Sequence, residues 1–183
     1  MADSAPFSGD AGLGAKLLFT DASCFRRRAT QEPPVVASWA AMLITGERSW
    51  LQSGLLKTEA LDSMECELAA IAHGLRYFLS SGALADGDRV DIYTDNQTAA
   101  SHLSGTTVHK TRNQGVIAAL EIVRRQVRNA GLVATFNWVR GHQGIDTDDW
   151  RGLINTRVDR QARWQSRQRV MELENALQAE AAE

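Results

Sequence analysis

Cysteine is scarce in this 183-residue sequence: Cys24 and Cys66 are the only two, and neither lies in a Cys-x-x-Cys pair. A disulfide framework and a zinc site are therefore not expected, and the chain reads as suited to a reducing, cytoplasmic setting. No apolar run approaches the roughly 18 residues that span a bilayer. The opening Met1-Ala2-Asp3-Ser4 has neither the basic stretch nor the apolar run of a signal peptide. Membrane, secreted mini-protein, collagen and coiled-coil readings drop out. A large charge excess is also missing, since 20 Lys and Arg stand against 22 Asp and Glu for a net −2. Taken whole, that number argues against a partner as anionic as nucleic acid. Taken by position it does not. Residues 1–14 carry two acids and residues 171–183 carry four, with no Lys or Arg in either, which leaves +4 on residues 15–170.

What is present suits one soluble domain: 44% hydrophobic and 23% charged residues on a chain long enough for a sizeable core. Residues 1–14 read as a loose lead-in, 15–170 as the domain and 171–183 as an acidic, frayed helical tail. Residues 16–23, Val35–Ile44 and Arg48–Leu55 read as a three-stranded meander. Arg26-Arg27-Arg28 and Pro33-Pro34 mark the loop after the first strand. Met64, Leu68, Ile71, Leu75, Phe78 and Leu79 recur at steps of three and four, the stripe of a helix that Asp62 or Ser63 can cap and Gly82 can end. Then come a strand over Arg89–Thr94, a short helix over Gln97–Leu103, a helix striped by Val116, Leu120, Val123 and Val127, a strand over Leu132–Val139, and a last helix from near Leu153. The order predicts a mixed five-stranded sheet, three strands antiparallel and then two parallel, with helices on both faces.

Four acids sit where acids are costly. Asp21 follows Leu17-Leu18-Phe19 inside a strand, Asp95 ends the strand Val90–Tyr93, Glu67 lies beside the first helix stripe, and Asp159 follows Val158 in the last helix. A buried carboxylate costs several kcal/mol, about that order, unless a cation or donor compensates it. Four of them on separate elements suggest one shared cation site. A hard ion such as Mg²⁺ takes oxygen ligands, and two ions about 3.5–4 Å apart can clamp the attacking and leaving oxygens of a phosphoryl displacement. His142, after Trp138-Val139-Arg140-Gly141, can shuttle protons near neutral pH. Helical periodicity does not choose between Glu65 and Glu67, which flank the stripe at similar angles.

These residues resemble type 1 ribonuclease H over about residues 15–165. Thr20-Asp21-Ala22-Ser23-Cys24 looks like its first strand motif. Glu67-Leu68-x-Ala70 with Gly74-Leu75 resembles its helix motif and selects Glu67 over Glu65. Tyr93-Thr94-Asp95-Asn96-Gln97 resembles its central turn. Trp138 through Gly144, with Asn155-x-x-x-Asp159-x-x-Ala162-Arg163, resembles its C-terminal motif. Any one motif is short, but four in order are specific. The resemblance implies a ribonuclease H fold and metal-dependent hydrolysis of the RNA strand of an RNA–DNA hybrid. Asp21, Glu67, Asp95 and Asp159 would hold two Mg²⁺, with Mn²⁺ as the alternative ion. His142 would assist product departure or proton transfer. Ser23, Ser63 and Gln97 would contact the substrate backbone, and Asn155 would hold the last helix or a phosphate. Arg26, Arg27 and Arg28 would grip phosphates. A monomer is expected, with a polymerase or another nucleic-acid-processing protein as a further partner and no membrane. The other classes kept open are a non-catalytic nucleic-acid-binding module on the same fold and a related nuclease acting on DNA.

The sequence departs from the family in three places. Gly105–Thr111 is too short for the basic, Trp-containing handle some members carry, and only Lys110 and Arg112 lie near it. Gly144–Leu153 is longer than usual and holds Asp146, Asp148 and Asp149. Asp62-Ser63-Met64 stands where many members have consecutive asparagines that read 2′-hydroxyls.

Overall fold

The computed structural model describes residues 14–26, 35–57, 62–107, 111–141 and 149–180. Its strands are β1 (Lys16–Arg26), β2 (Val35–Thr45), β3 (Arg48–Leu56), β4 (Arg89–Thr94) and β5 (Val133–Trp138). Its helices are α1 (Ser63–Ser80), α2 (Gln97–Leu103), α3 (Gln114–Asn129) and α4 (Trp150–Glu180). They form one mixed sheet in the order β3-β2-β1-β4-β5. β1 pairs antiparallel with β2, and β2 with β3, while β4 runs parallel to both β1 and β5. This is the architecture the sequence predicts.

The pleat divides the core. Leu18 on β1 points to one face, where it joins Leu43, Val90, Ile92, Leu68, Ile71, Leu75, Phe78, Leu120 and Val123 under α1 and α3. Its neighbours Leu17 and Phe19 point to the other face and join Met42, Ile44, Tyr93, Ile154, Val158 and Ala162 under α4. Phe19 stacks on Tyr93 with ring centroids 4.6 Å apart. α1 lies close to the sheet because position 74 is glycine: a Cβ there would come within 2.7 Å of the Ala41 Cβ. Asp62 caps α1, accepting from the Glu65 N–H, while the Glu65 carboxylate accepts from the Asp62 N–H at 2.9 Å. No described helix is long and apolar enough to cross a membrane.

Three features differ from the sequence reading. β1 does not stop at Ser23 but stays in register with β2 as far as Arg26↔Val35, since the ladder, not side-chain polarity, sets its length. α4 begins at Trp150 and runs unbroken to Glu180, although its last buried residue is Val170; the Met, Leu, Ala, Gln and Glu that follow are good helix formers. Finally, the side chains of Cys24 on β1 and Cys66 on α1 meet sulfur to sulfur. Forty-two residues separate them, and only the packing of the helix on the strand brings them together.

Candidate active site

β1 and β4 run side by side in the same direction, and Asp21 lies level with the end of β4. Parallel neighbours place Asp21, two residues past Phe19, near Asp95, two residues past Tyr93, because Phe19 and Tyr93 are themselves register partners. α1 crosses above them and adds Glu67 from its first turns. One carboxylate oxygen from each of Asp21, Glu67 and Asp95 lies within 4.8 Å of the others. α4 closes the fourth side with Asp159. The result is a cleft of about 490 Å³ lined by these four acids with Ala22, Ser23, Cys24, Phe25, Ser63, Asn96, Arg163, Ser166 and Arg167.

Asp21 is 3% exposed and Glu67 is 7% exposed, and one oxygen of each, Asp21 Oδ2 and Glu67 Oε2, has no hydrogen-bond partner. Burial first, and then repulsion from Asp95 and Asp159, push the Asp21 carboxyl well above its ordinary range. Burial first, then Asp21 and Asp95, do the same to Glu67. The Ala22 backbone N–H opposes both shifts, and Arg163 opposes that of Asp21. Two buried carboxylates crowded together, each with one oxygen unsatisfied, form an all-oxygen donor set that fits a hard divalent ion. Glu65, two residues before Glu67, is also buried, but its carboxylate is committed to the capping box. Of the two acids, Glu67 is the one that lines the cleft.

Asp159 sits in the same cleft but outside the tight triad. Its Oδ1 accepts from Arg163 Nε at 2.6 Å, one helical turn on. Asp95 is held by its surroundings. Its carbonyl accepts from Trp138 Nε1 at 3.0 Å, and Asn96 beside it caps α2. Gly141 packs against the Asp95 carboxylate, so a Cβ at 141 would overlap it. This gives a physical reason for glycine within Trp138–Gly141.

The remaining candidates divide. Ser23 and Ser63 line the cleft, and Ser23 shares a 3.0 Å hydrogen bond with Ser166. Gln97 opens α2 and is exposed but does not line the cleft; Asn96 does. Asn155 is 1% exposed on the sheet side of α4, with Oδ1 unpartnered, and does not line the cleft either. Arg26 ends β1. Its side chain, Arg27, Arg28, His142 and residues 144–148 of the Gly144–Leu153 segment lie outside the described residues. Sequence reasoning missed Arg167, Ser166 and Phe25 as lining residues. The signal available for Arg167 was its spacing, four residues after Arg163 and eight after Asp159.

Fold and cleft define the class: a mixed α/β sheet that gathers four carboxylates from β1, α1, the end of β4 and α4 beside its central parallel strands. A family profile for RNase H matches residues 14–167. The chain belongs to the RNase H family. No curated protein matches its sequence significantly. Among solved structures it is similar to the prototype foamy virus protease–reverse transcriptase, with a TM-score of 0.63 and 16% identity. That match covers 84% of this chain and 21% of the viral one, so the chain spans about a fifth of that protein. It is also similar to the N-terminal RNase H domain of rv2228c from Mycobacterium tuberculosis, solved as a fusion with maltose binding protein. The TM-score there is 0.57 at 13% identity, covering 86% of this chain and 99% of the other. A third is LC11-RNase H1 in complex with an RNA/DNA hybrid, with a TM-score of 0.52 at 12% identity, covering 68% and 85%. At these identities the likeness carries the fold.

Proposed function

We propose that this chain is an endonuclease that hydrolyses the RNA strand of RNA–DNA hybrids, leaving 5′-phosphate and 3′-hydroxyl ends. The convergence of Asp21, Glu67 and Asp95, with Asp21 Oδ2 and Glu67 Oε2 buried and lacking a hydrogen-bond partner, carries the reading. Family membership and the hybrid-bound relative support it. Asp21, Glu67 and Asp95, joined by Asp159, would hold two divalent cations, Mg²⁺ or alternatively Mn²⁺. Bound there, such ions supply Lewis acidity that activates a water and offsets charge on the departing 3′-oxygen.

The protein's own groups do the rest. The Trp138 hydrogen bond anchors the Asp95 backbone, and Gly141 leaves room for the Asp95 carboxylate packed against it. Ser23 and Ser63 offer hydroxyls at the cleft wall for substrate oxygens. His142, next after Gly141, is assigned proton transfer to the leaving group, and Gln97, Asn155 and Arg26–Arg28 remain candidates for backbone contacts. The similarity to a reverse-transcriptase chain supports a polymerase as working partner.

The test is cleavage of an end-labelled hybrid in Mg²⁺, with Asp95→Asn as the paired control. The reading expects RNA-strand fragments from the unmodified chain and none from the variant. It fails if the unmodified chain leaves the hybrid whole or if the variant cuts equally well. Duplex DNA and single-stranded RNA in parallel tubes separate it from a DNA nuclease.

A further inference from the structure

We propose that the outward face of α4 is a phosphate-binding rail that carries one arm of the nucleic-acid duplex away from the carboxylate cleft. This rests on the reading of that cleft as a nuclease site. Residues 150–170 of α4 contain six arginines and one acid, Asp159. The helix buries Ile154, Asn155, Val158, Ala162, Ser166 and Val170 against the sheet. At about 100° per residue, taking Ala162 as the centre of the sheet-facing side, Asp159 lies about 60° round. Arg163 follows at about 100°, Arg167 at about 140°, Arg160 at about 160°, Trp164 at about 200° and Arg157 at about 220°. The arc begins in the cleft, where Asp159, Arg163 and Arg167 are lining residues. It continues without an acid onto the exposed surface.

An ordinary solvated helix face mixes charges and pairs them. Elsewhere in this protein Arg128 pairs with Glu121 and Arg169 with Glu172. Among the described residues no ion pair engages Arg157, Arg160 or Arg167. Trp164, 53% exposed, stands one turn from Arg160 and from Arg167. An indole between cations suits a nucleic-acid strand, stacking on a base or sugar while guanidinium groups take the phosphates. Arg157 to Arg167 spans about 15 Å along the axis, room for about four phosphates at about 3.4 Å of axial spacing. The rail also has an end. From residue 171 the helix carries Glu172, Glu174 and Glu180 and no base, so a duplex is repelled where the helix leaves the sheet.

The measurement is fluorescence anisotropy of a short labelled RNA–DNA hybrid titrated with the full chain in EDTA, from about 50 to about 200 mM salt. Arg157→Gln, Arg160→Gln and Arg167→Gln together should weaken binding about tenfold or more. They should also flatten the slope of log Kd against log salt by about 0.9 per arginine. Lysine at the same three positions should restore most of the slope, which separates lost charge from lost structure. Trp164→Ala should weaken binding about tenfold with the slope kept. Arg169→Gln, already paired with Glu172, serves as the unaffected control. Parental affinity and slope in the triple glutamine variant would overturn the rail. Cleavage by the unmodified chain is assayed alongside, in Mg²⁺. Cleavage with arginine-independent binding sinks the rail and keeps the nuclease. Arginine-dependent binding without cleavage sinks the nuclease and keeps the rail. A chain that binds no hybrid sinks both.

Discussion

The two faces of the sheet are built from the same strands and do opposite work. Under α1 and α3 the contacts are Leu, Ile, Val and Phe, with Phe78, Leu68, Ile71 and Leu75 at or near zero exposure. Under α4 the apolar cluster is smaller, and hydroxyls stitch the helix down. Ser38 Oγ donates to the Ala162 carbonyl at 2.6 Å, Gln161 Nε2 donates to Ser53 Oγ at 2.9 Å, and Ser23 meets Ser166. The four carboxylates gather at the sheet end on this second side, with Glu67 reaching in from α1. A dry face supplies stability, and that surplus lets the other side hold acids close together in a cleft.

The comparison breaks most visibly at Asp21. If the proposed function holds, Asp21→Asn should lower hybrid cleavage on the order of 10³-fold or more, because it removes one carboxylate from the triad proposed to hold the ions. The same substitution should raise the melting temperature of the metal-free chain, since it takes away a buried charge. A melting temperature that falls instead would show that the cleft contributes to stability. Phe78→Ala probes the opposite face. It should cost about 3–5 kcal/mol in denaturant unfolding, with the folded fraction cutting hybrid at the parental rate.

Next in size is a linkage between pH and divalent ions. Asp21 and Glu67 have carboxyls raised by burial, so the folded chain binds more protons than the unfolded one. In EDTA these two groups should make stability fall as pH rises from about 4, the ordinary carboxyl range, up through their raised values. Mg²⁺ should reverse the loss, by about 2.7 kcal/mol at a hundredfold excess over Kd. Thermal melts with and without Mg²⁺ across that range check it, and curves that coincide at neutral pH would contradict an ion-binding cleft. The smallest effect belongs to the overhang of α4. Removing residues 171–183, which bury nothing after Val170 in the described part, should change stability by less than about 0.5 kcal/mol.

The strands and helices were legible because hydrophobic spacing states them. The stripe from Met64 to Leu79 and the alternation in Arg89–Thr94 match α1 and β4 almost residue for residue. Asp21, Glu67 and Asp95 stood out because each interrupts or borders an apolar run. Other features were not legible. Asp159 taken alone looks like a routine helix charge and was singled out chiefly by the family resemblance, and its Arg163 partner is visible only as an i+4 spacing. Gln97 and Asn155 lie within the right motifs, yet their side chains take no part in the cleft wall. The meeting of Cys24 with Cys66 follows from no spacing rule.

The sequence by itself determined the order of elements and the sheet's mixed sense, and it marked Asp21 and Asp95 as acids in apolar surroundings, since these rest on periodicity and on the cost of burying charge. Only the tertiary structure decided which acids converge, that Glu65 caps a helix while Glu67 faces the cleft, and that the arginines of α4 continue from the cleft as one face. Those are distances between segments far apart in the chain, and packing sets them.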